Sequence, residues 1–285
     1  MQRVLITGIT GRIGSKLFEK LEDLFPLETS IFLLEGKTPI ILPVNSKLKL
    51  QVKKELDNGY DLAIHLAANS DTTYCQKPEN RIEVREDNIN LTRKVCEAAN
   101  RVILLSTDYV FNGNLESGES FKEDEKRNPV NYYGQTKLEA EDIVLSNNGI
   151  VIRIDTMMGT KNKIIDTAKR AIEGEDYFPF WTNNLIRPSY FTDFFKVLKK
   201  LVDKEGPSIY HVSCNGDALS RSEMAQIVLD IYKEKGWKRK MDDLKTESLE
   251  ETKRFVLDTQ KTKRELGVDF IDSREAVRRH VLEKV

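Results

Sequence analysis

Short apolar runs alternate with longer stretches in which apolar residues return every three to four positions. Val4-Leu5-Ile6-Thr7, Ser30-Ile31-Phe32-Leu33-Leu34 and Pro39-Ile40-Ile41-Leu42 read as strands. The interval from Arg12 to Leu24 reads as an amphipathic helix that ends before Pro26. A polar helix around Lys47–Asp57 leads into a fourth strand, Asp61-Leu62-Ala63-Ile64-His65-Leu66. Pro78 to Asn100 holds a helix, Arg101–Ser106 a fifth strand, Asn131 to Asn147 a helix, and Gly149–Ile154 a sixth strand. Strands this short with almost no polar alternation are buried on both faces, which predicts a parallel sheet covered by helices on each side.

Beyond Arg153 the rhythm is irregular. A helix is expected at Ser189–Val202, a strand at Ser208–Val212, a helix at Ser222–Lys235, a charged connector and a final helix at Asp272–Glu283. The expected fold class is α/β, a doubly wound parallel sheet of Rossmann type with a smaller C-terminal substrate lobe. Residues 1–154 form the dinucleotide-binding domain, rejoined by about 186–213, and residues 155–185 and 214–285 form the lobe. There is no internal repeat and no low-complexity segment.

Composition narrows the class of function. The 45 basic and 46 acidic side chains are interleaved and leave a net charge of −1, so nothing electrostatic favours nucleic acid or an anionic membrane. The basic run Lys233–Lys240 meets Asp242 and Asp243 at once and reads as a solvated helix end. No signal peptide opens the sequence and no apolar run approaches the roughly 20 residues of a membrane helix, so a cytoplasmic protein is expected. Cys75, Cys96 and Cys214 are far apart and form no Cys-x-x-Cys pair, so neither disulfides nor a metal is expected. Asn90-Leu91-Thr92 has the glycosylation pattern but falls within the helical stretch.

Three segments carry chemistry. Thr7-Gly8-Ile9-Thr10-Gly11-Arg12-Ile13-Gly14 follows a strand and opens a helix, with its glycines three apart. Gly8 suits the tight turn, Gly11 lets backbone amides approach a pyrophosphate, and Gly14 lets the helix pack closely on the strand. Thr10, Arg12 and Ile13 complete this candidate cofactor turn. After the second strand, Glu35 stands where an acid would bind the adenosine ribose, while Lys37 would instead meet a 2′-phosphate, so NAD and NADP both stay open. At the end of the fourth strand, Leu66, Ala67 and Ala68 are small enough to line the same cofactor, and His65 reads as a packed core histidine.

Tyr133 and Lys137 are four apart on a helix, one turn from each other on one face. An ammonium beside a phenol is expected to lower the tyrosine pKa, and the tyrosine can protonate a carbonyl oxygen as hydride reaches carbon. At the carboxyl end of the fifth strand, Ser106, Thr107 and Tyr109 offer hydroxyls and Asp108 a carboxylate to substrate or cofactor, at the sheet edge where open α/β folds bind ligands.

Together, the glycine turn, Leu105-Ser106-Thr107-Asp108-Tyr109-Val110-Phe111-Asn112-Gly113 and Asn131-Tyr132-Tyr133-Gly134-Gln135-Thr136-Lys137-Leu138-Glu139 resemble the extended short-chain dehydrogenase/reductase superfamily. They are most similar to its dTDP-4-dehydrorhamnose reductase family. Lys77-Pro78-Glu79, Asn88, His211-Val212-Ser213 and Leu219–Ala225 extend the resemblance over most of the chain. It implies reduction of a nucleotide-linked 4-keto-deoxysugar with NADPH or NADH, with Thr107 as the hydroxyl of the triad, Tyr133 as the acid and Lys137 as its partner. Tyr109 replaces the acidic residue usual in related dehydratases, which favours a reductase.

The chain departs from that family at Arg153-Ile154-Asp155-Thr156-Met157-Met158-Gly159, where Thr156 stands in place of a substrate-contacting tryptophan, and at Asn183–Ser189. Thr156 and Arg187 are therefore the candidate substrate contacts, with Arg187 meeting a diphosphate. The implied partner is a small-molecule sugar nucleotide, and a homodimer is compatible. Two other readings stay open: an epimerase or dehydratase, or a non-catalytic NADP-binding regulatory subunit like those of methionine adenosyltransferase.

Overall fold

A computed structural model describes residues 2–37, 40, 48–175, 179–236 and 244–283. Among the described residues, six strands up to position 154 are β1 (Arg3–Thr7), β2 (Ser30–Leu34), β3 (Lys49–Lys53), β4 (Leu62–His65), β5 (Val102–Thr107) and β6 (Ile150–Ile154). With the strand Ser208–Val212 they form a seven-stranded sheet in the order 208–212, β6, β5, β4, β1, β2, β3. β1 runs parallel to both β2 and β4, with Val4 opposite Ile31 on one side and Leu62 on the other. β2–β3 and β4–β5 are parallel as well. The strand order turns back between β1 and β4, so the crevice where such sheets take ligands opens beyond the carboxyl ends of these two strands.

The reason for this sheet is visible in its side chains. Val4, Leu5 and Ile6, Ile31 and Leu33, and Leu62, Ala63 and Ile64 are sealed from solvent, so both faces of the central strands are covered. Leu5, Ala63, Val102 and Leu104 pack with Val95 and Ala98 of the Leu91–Ala98 helix and with Ala140 and Val144 of the Tyr132–Ser146 helix. Burial on this scale stabilises by about 25 cal/mol per Å² of apolar surface removed from water.

Several expected elements differ. The expected polar helix at Lys47–Asp57 is strand β3, at the end of the sheet order. In Leu48-Lys49-Leu50-Gln51-Val52-Lys53 the apolar residues alternate with polar ones, a period of two that suits an edge strand with charged, solvent-facing positions. The strand expected at Pro39–Leu42 lies largely outside the described residues. The expected Arg12–Leu24 helix is two pieces, Arg12–Phe18 and Leu21–Leu24.

The helix expected at Pro78–Asn100 is a 3₁₀ turn (Pro78–Asn80), an α-turn (Arg81–Arg85), a π-helical segment (Glu86–Asn90) and the Leu91–Ala98 helix. A short Thr72–Gln76 helix precedes them, its first turn capped by Asp71. The Lys163–Glu173 helix, capped by Asn162 and ended by Gly174 at φ +88°, occupies a stretch that the sequence left irregular.

The chain divides into two compact units, one of residues 1–111, 126–153 and 195–210, the other of residues 112–125, 154–194 and 211–285. The second unit is built around the Arg221–Glu234 helix, which contacts the Lys163–Glu173 and Ser273–Leu282 helices. A capping box joins Ser220 and Glu223 at the first of these. In the same unit the strand Asn184–Ile186 pairs in parallel with Lys253–Phe255 and antiparallel with Leu219–Ser220. Among the described residues no helix is long and apolar enough to cross a membrane.

Candidate active site

The glycine turn joins β1 to the Arg12–Phe18 helix, and its three glycines meet different constraints. Gly8 has φ +71°, and a Cβ there would lie 2.5 Å from the Ala67 nitrogen. That close approach brings the turn onto Leu66-Ala67-Ala68, at the end of β4. A Cβ on Gly14 would sit 2.1 Å from the Gly8 carbonyl oxygen, so this glycine lets the helix close on the turn. Gly11 is exposed and extended (φ −72°, ψ 174°), and its added Cβ would meet only the Gly8 oxygen, at 3.1 Å. Its outer side is thus open to a ligand while the other two glycines are closed by protein, an arrangement into which a pyrophosphate fits. Thr10 and Arg12 are exposed beside it and Ile13 is half-buried.

A buried hydrogen-bonded chain leads away from this turn. His65 Nδ1 lies 2.6 Å from Thr7 Oγ1 and its Nε2 lies 3.0 Å from Thr92 Oγ1. The Ala67 amide donates to Thr7 Oγ1 at 3.2 Å, and Thr92 donates to the Asn88 carbonyl at 2.8 Å. The histidine is fully buried, and burial first, then the Lys137 charge, hold its pKa down to about 3. It is a neutral strut.

Asn88, within the π-helical segment, accepts from the Asn69 amide at 2.6 Å and donates to the Asn69 carbonyl at 3.1 Å and to Thr136 Oγ1 at 2.9 Å. Thr136 in turn donates to the Tyr133 carbonyl at 2.8 Å. The chain end after β4 is therefore tied to the Tyr132–Ser146 helix through one asparagine.

That helix starts on a side-chain cap, Asn131 Oδ1 accepting from the Gly134 amide at 2.7 Å, and the Tyr132 amide donates to Gln76 at 3.1 Å. A Cβ on Gly134 would stand 2.1 Å from the Tyr109 carbonyl oxygen. Glycine at this position lets the helix lie directly on the Asp108–Val110 turn that follows β5, and the Tyr109 and Tyr133 rings meet edge to face at 6.4 Å. In that turn Thr107 accepts from the Tyr109 amide at 3.2 Å and donates its own proton to Asp108 at 2.8 Å.

Tyr133 is half-buried and Lys137 is buried. Against the expectation of a depressed phenol, the Tyr133 pKa is raised. Burial is the largest cause, followed by the charge of Asp108, and Arg12 opposes them weakly. A phenol held protonated is the form that can give a proton away. Burial also lowers Lys137, to about 8, against the attraction of Glu141.

Other candidates stand apart from this cluster. Ser106 points inward and donates to Glu141 at 2.6 Å. Glu35 accepts from the Ile40 amide at 3.1 Å, while Lys37 is ion-paired to Glu83 and lies 3.7 Å from Asp87.

Thr156 and Arg187 belong to the second unit. The Thr156 amide donates to Asp155, and the buried Nε of Arg187 has no hydrogen-bond partner among the described residues. Arg254, paired in register with Leu185 two residues before Arg187, also has a buried Nε without a partner among the described residues. Sequence reasoning missed Arg254 because only strand pairing brings it beside the 184–187 segment. Gly134 and Glu141 were missed because the neighbours that define them come from other elements.

The family described as "RmlD substrate binding domain" matches residues 1–285. Methionine adenosyltransferase 2 subunit beta from Xenopus laevis is 30% identical over 251 residues, covering 81% of this chain and 72% of that protein. dTDP-4-dehydrorhamnose reductase from Mycolicibacterium smegmatis is 27% identical over 240 residues, covering 80% of this chain and 69% of that protein. The crystal structure of dTDP-4-dehydrorhamnose reductase from Bacillus anthracis in complex with NADP superposes with a TM-score of 0.75 at 22% identity, covering 100% of both chains.

Proposed function

The chain belongs to the RmlD substrate binding domain family, and from that membership we propose that it is an NAD(P)H-dependent reductase of a nucleotide-linked 4-keto-deoxysugar. The observation that carries the reading is the meeting, in one unit, of the open glycine turn, the Thr107–Tyr109 turn and the Tyr133–Lys137 helix at the carboxyl ends of the sheet strands. The domain of residues 1–154 takes the dinucleotide, through Gly8, Thr10, Gly11, Arg12, Ile13, Gly14, Leu66, Ala67 and Ala68. The lobe of residues 155–185 and 214–285 takes the sugar nucleotide, with Thr156 as a contact and Arg254 as a cation for the diphosphate, joined by Arg187 from the 186–213 segment. Glu35 takes the ribose hydroxyls in this reading, and Glu83 and Asp87 offset the charge of Lys37, which supports a preference for NADH.

When bound, a reduced nicotinamide supplies hydride. The protein's own part is the proton. Tyr133, protonated because it is desolvated beside Asp108, donates to the carbonyl oxygen of the substrate. Lys137 supplies positive charge one turn along the helix, and Thr107 turns its hydroxyl from Asp108 to the same oxygen. Tyr133→Phe keeps the ring and removes the acid. Single-turnover hydride transfer, with a substrate found by screening sugar nucleotides against NADH and NADPH, should slow by ~10²–10⁴-fold at little-changed cofactor affinity. Wild-type rates in that variant would remove Tyr133 from the chemistry.

A second reading is a cofactor-binding regulatory subunit, favoured by the relative named methionine adenosyltransferase 2 subunit beta and by threonine at position 156. A protein that binds NADPH tightly, reduces no sugar nucleotide and co-purifies with a partner enzyme would support it.

A further inference from the structure

One buried charge is not used by the chemistry above. Glu141 lies eight residues after Tyr133 and four after Lys137, so the three share one face of the Tyr132–Ser146 helix. It has no exposed surface, yet both carboxylate oxygens are bound. Arg153 Nε donates to one at 2.9 Å and Arg153 Nη2 to the other at 2.8 Å. Ser106 donates at 2.6 Å, and Arg127 at 3.3 Å while its other nitrogen holds Asp142 at 2.7 Å. Arg153 is fully buried on β6, and its guanidinium stacks 5.0 Å from the Phe111 ring.

A buried carboxylate this completely satisfied is fixed in space. It joins three pieces of the reductive site. Through Ser106 it pins the residue beside Thr107, through Arg153 it ties the helix to β6, and along its own helix it faces Lys137. We propose that Glu141 is a positioning residue of the proposed reductase, setting a fixed buried carboxylate one helical turn from Lys137 and fixing the end of β5 under Thr107. This rests on the reductase reading for its purpose but not for its physics.

The titratable and charged groups around this face come from every packed element. They are Tyr133 and Glu141 on the helix itself, His65 from β4, Asp108 from the turn after β5, and Cys75 from the Thr72–Gln76 helix. Arg153 comes from β6, and Arg127 precedes the helix. On the outer surface Glu139 is engaged by Arg85 and Arg93, and Asp87 of the π-helical segment lies against Lys37. His65 is neutral and Tyr133 protonated near pH 7, so Glu141 is the anion on the helix face of Lys137. Burial lowers the lysine, and Glu141 opposes that. Without Glu141, Arg153 would remain as a second buried cation and lower Lys137 further.

The test is a lysine-selective NMR titration of the ligand-free protein, with Lys137 assigned by the signal that Lys137→Met loses. The wild-type midpoint is expected near 8. Glu141→Gln should lower it by about one unit or more, and Arg153→Met should raise it, because the two remove opposite charges. A packing role alone would not move the midpoint in opposite directions. An unmoved midpoint in folded Glu141→Gln overturns the proposal. If that variant does not fold, Arg127→Met, at the half-buried edge of the cluster, must raise the midpoint, and no change there overturns it equally. With a turnover substrate, the basic limb of the kcat profile in Glu141→Gln should move to lower pH by the same amount, with KM little changed. A shifted midpoint in a protein that reduces nothing would refute the reductase reading and leave the Glu141–Lys137 coupling in place.

Discussion

Adding one methyl group to Gly134 tests the geometry of the site without touching a reacting group. The new Cβ would start 2.1 Å from the Tyr109 carbonyl oxygen and 2.9 Å from its carbonyl carbon, while real Cβ contacts essentially never fall under 3.0 Å. Both obstacles are backbone, so no side-chain rotation relieves them. The Tyr132–Ser146 helix and the Asp108–Val110 turn must separate by roughly 1 Å, with overpacking that costs about 1–3 kcal/mol. Helix propensity recovers at most about 1 kcal/mol when glycine becomes alanine, so the net change is destabilising or near zero. The effect on rate should be larger. Tyr133 rides on the displaced helix and Thr107 on the turn, and a misplacement of about 1 Å can cost about 10²-fold. Urea unfolding and single-turnover hydride transfer read the two quantities separately. Gly134→Ala with wild-type stability and wild-type hydride transfer would refute the argument that this close approach sets the distance between acid and hydroxyl.

Three other expectations follow from residues already described. Gly11→Val should leave the unfolding transition nearly in place, because its backbone is extended and its outer side open, yet abolish NADH and NADPH binding; unchanged affinity by fluorescence titration would reject the pyrophosphate assignment. Glu35→Ala should raise the affinity for NADPH relative to NADH, by removing a carboxylate that repels a 2′-phosphate; an unaltered ratio would take Glu35 out of the ribose site. His65, held near pKa 3 against an ordinary 6.5, binds fewer protons folded than unfolded, so its share of stability is present above about pH 6.5 and is lost as pH falls from there towards 3. His65→Gln should flatten the pH dependence of the urea midpoint across that window, and an equally steep dependence would show that the histidine is not the sensitive group.

The sheet was legible because its central strands are sealed on both faces, so Val4–Ile6 and Leu62–Ile64 carry an almost unbroken apolar signal. β3 was not legible in the same way. Among the described residues it pairs on one side only, so exposed Lys49 and Gln51 interrupt it and mimic a polar helix. The glycine spacing predicted a turn and a close approach, and Gly8 and Gly14 meet those constraints in detail. The tyrosine pKa went the other way because helical spacing reports Lys137 but not desolvation or Asp108, which arrive with the tertiary fold. Ser106 was grouped with Thr107 by adjacency, yet neighbours in a strand face opposite sides, and Ser106 turns to Glu141. Arg254 had no local signal at all, since its neighbour near Arg187 is set by a pairing that spans the second unit.

The π-helical segment at Glu86–Asn90 also fixes an angular phase. Each residue advances an α-helix by about 100°, so a stretch with one residue too many for its hydrogen bonds offsets all that follows. The offset is what allows Asn88 to face Asn69 and Thr136 while Thr92 and Val95, in the next turn, still face inward. Deleting one residue there would restore ordinary winding and rotate the helix before the deletion against the helix after it by about 100°. Either Asn88 would lose the loop after β4, or Thr92 would lose His65 and Val95 its place against the sheet. The segment therefore tolerates substitution at its exposed positions more readily than any change in length.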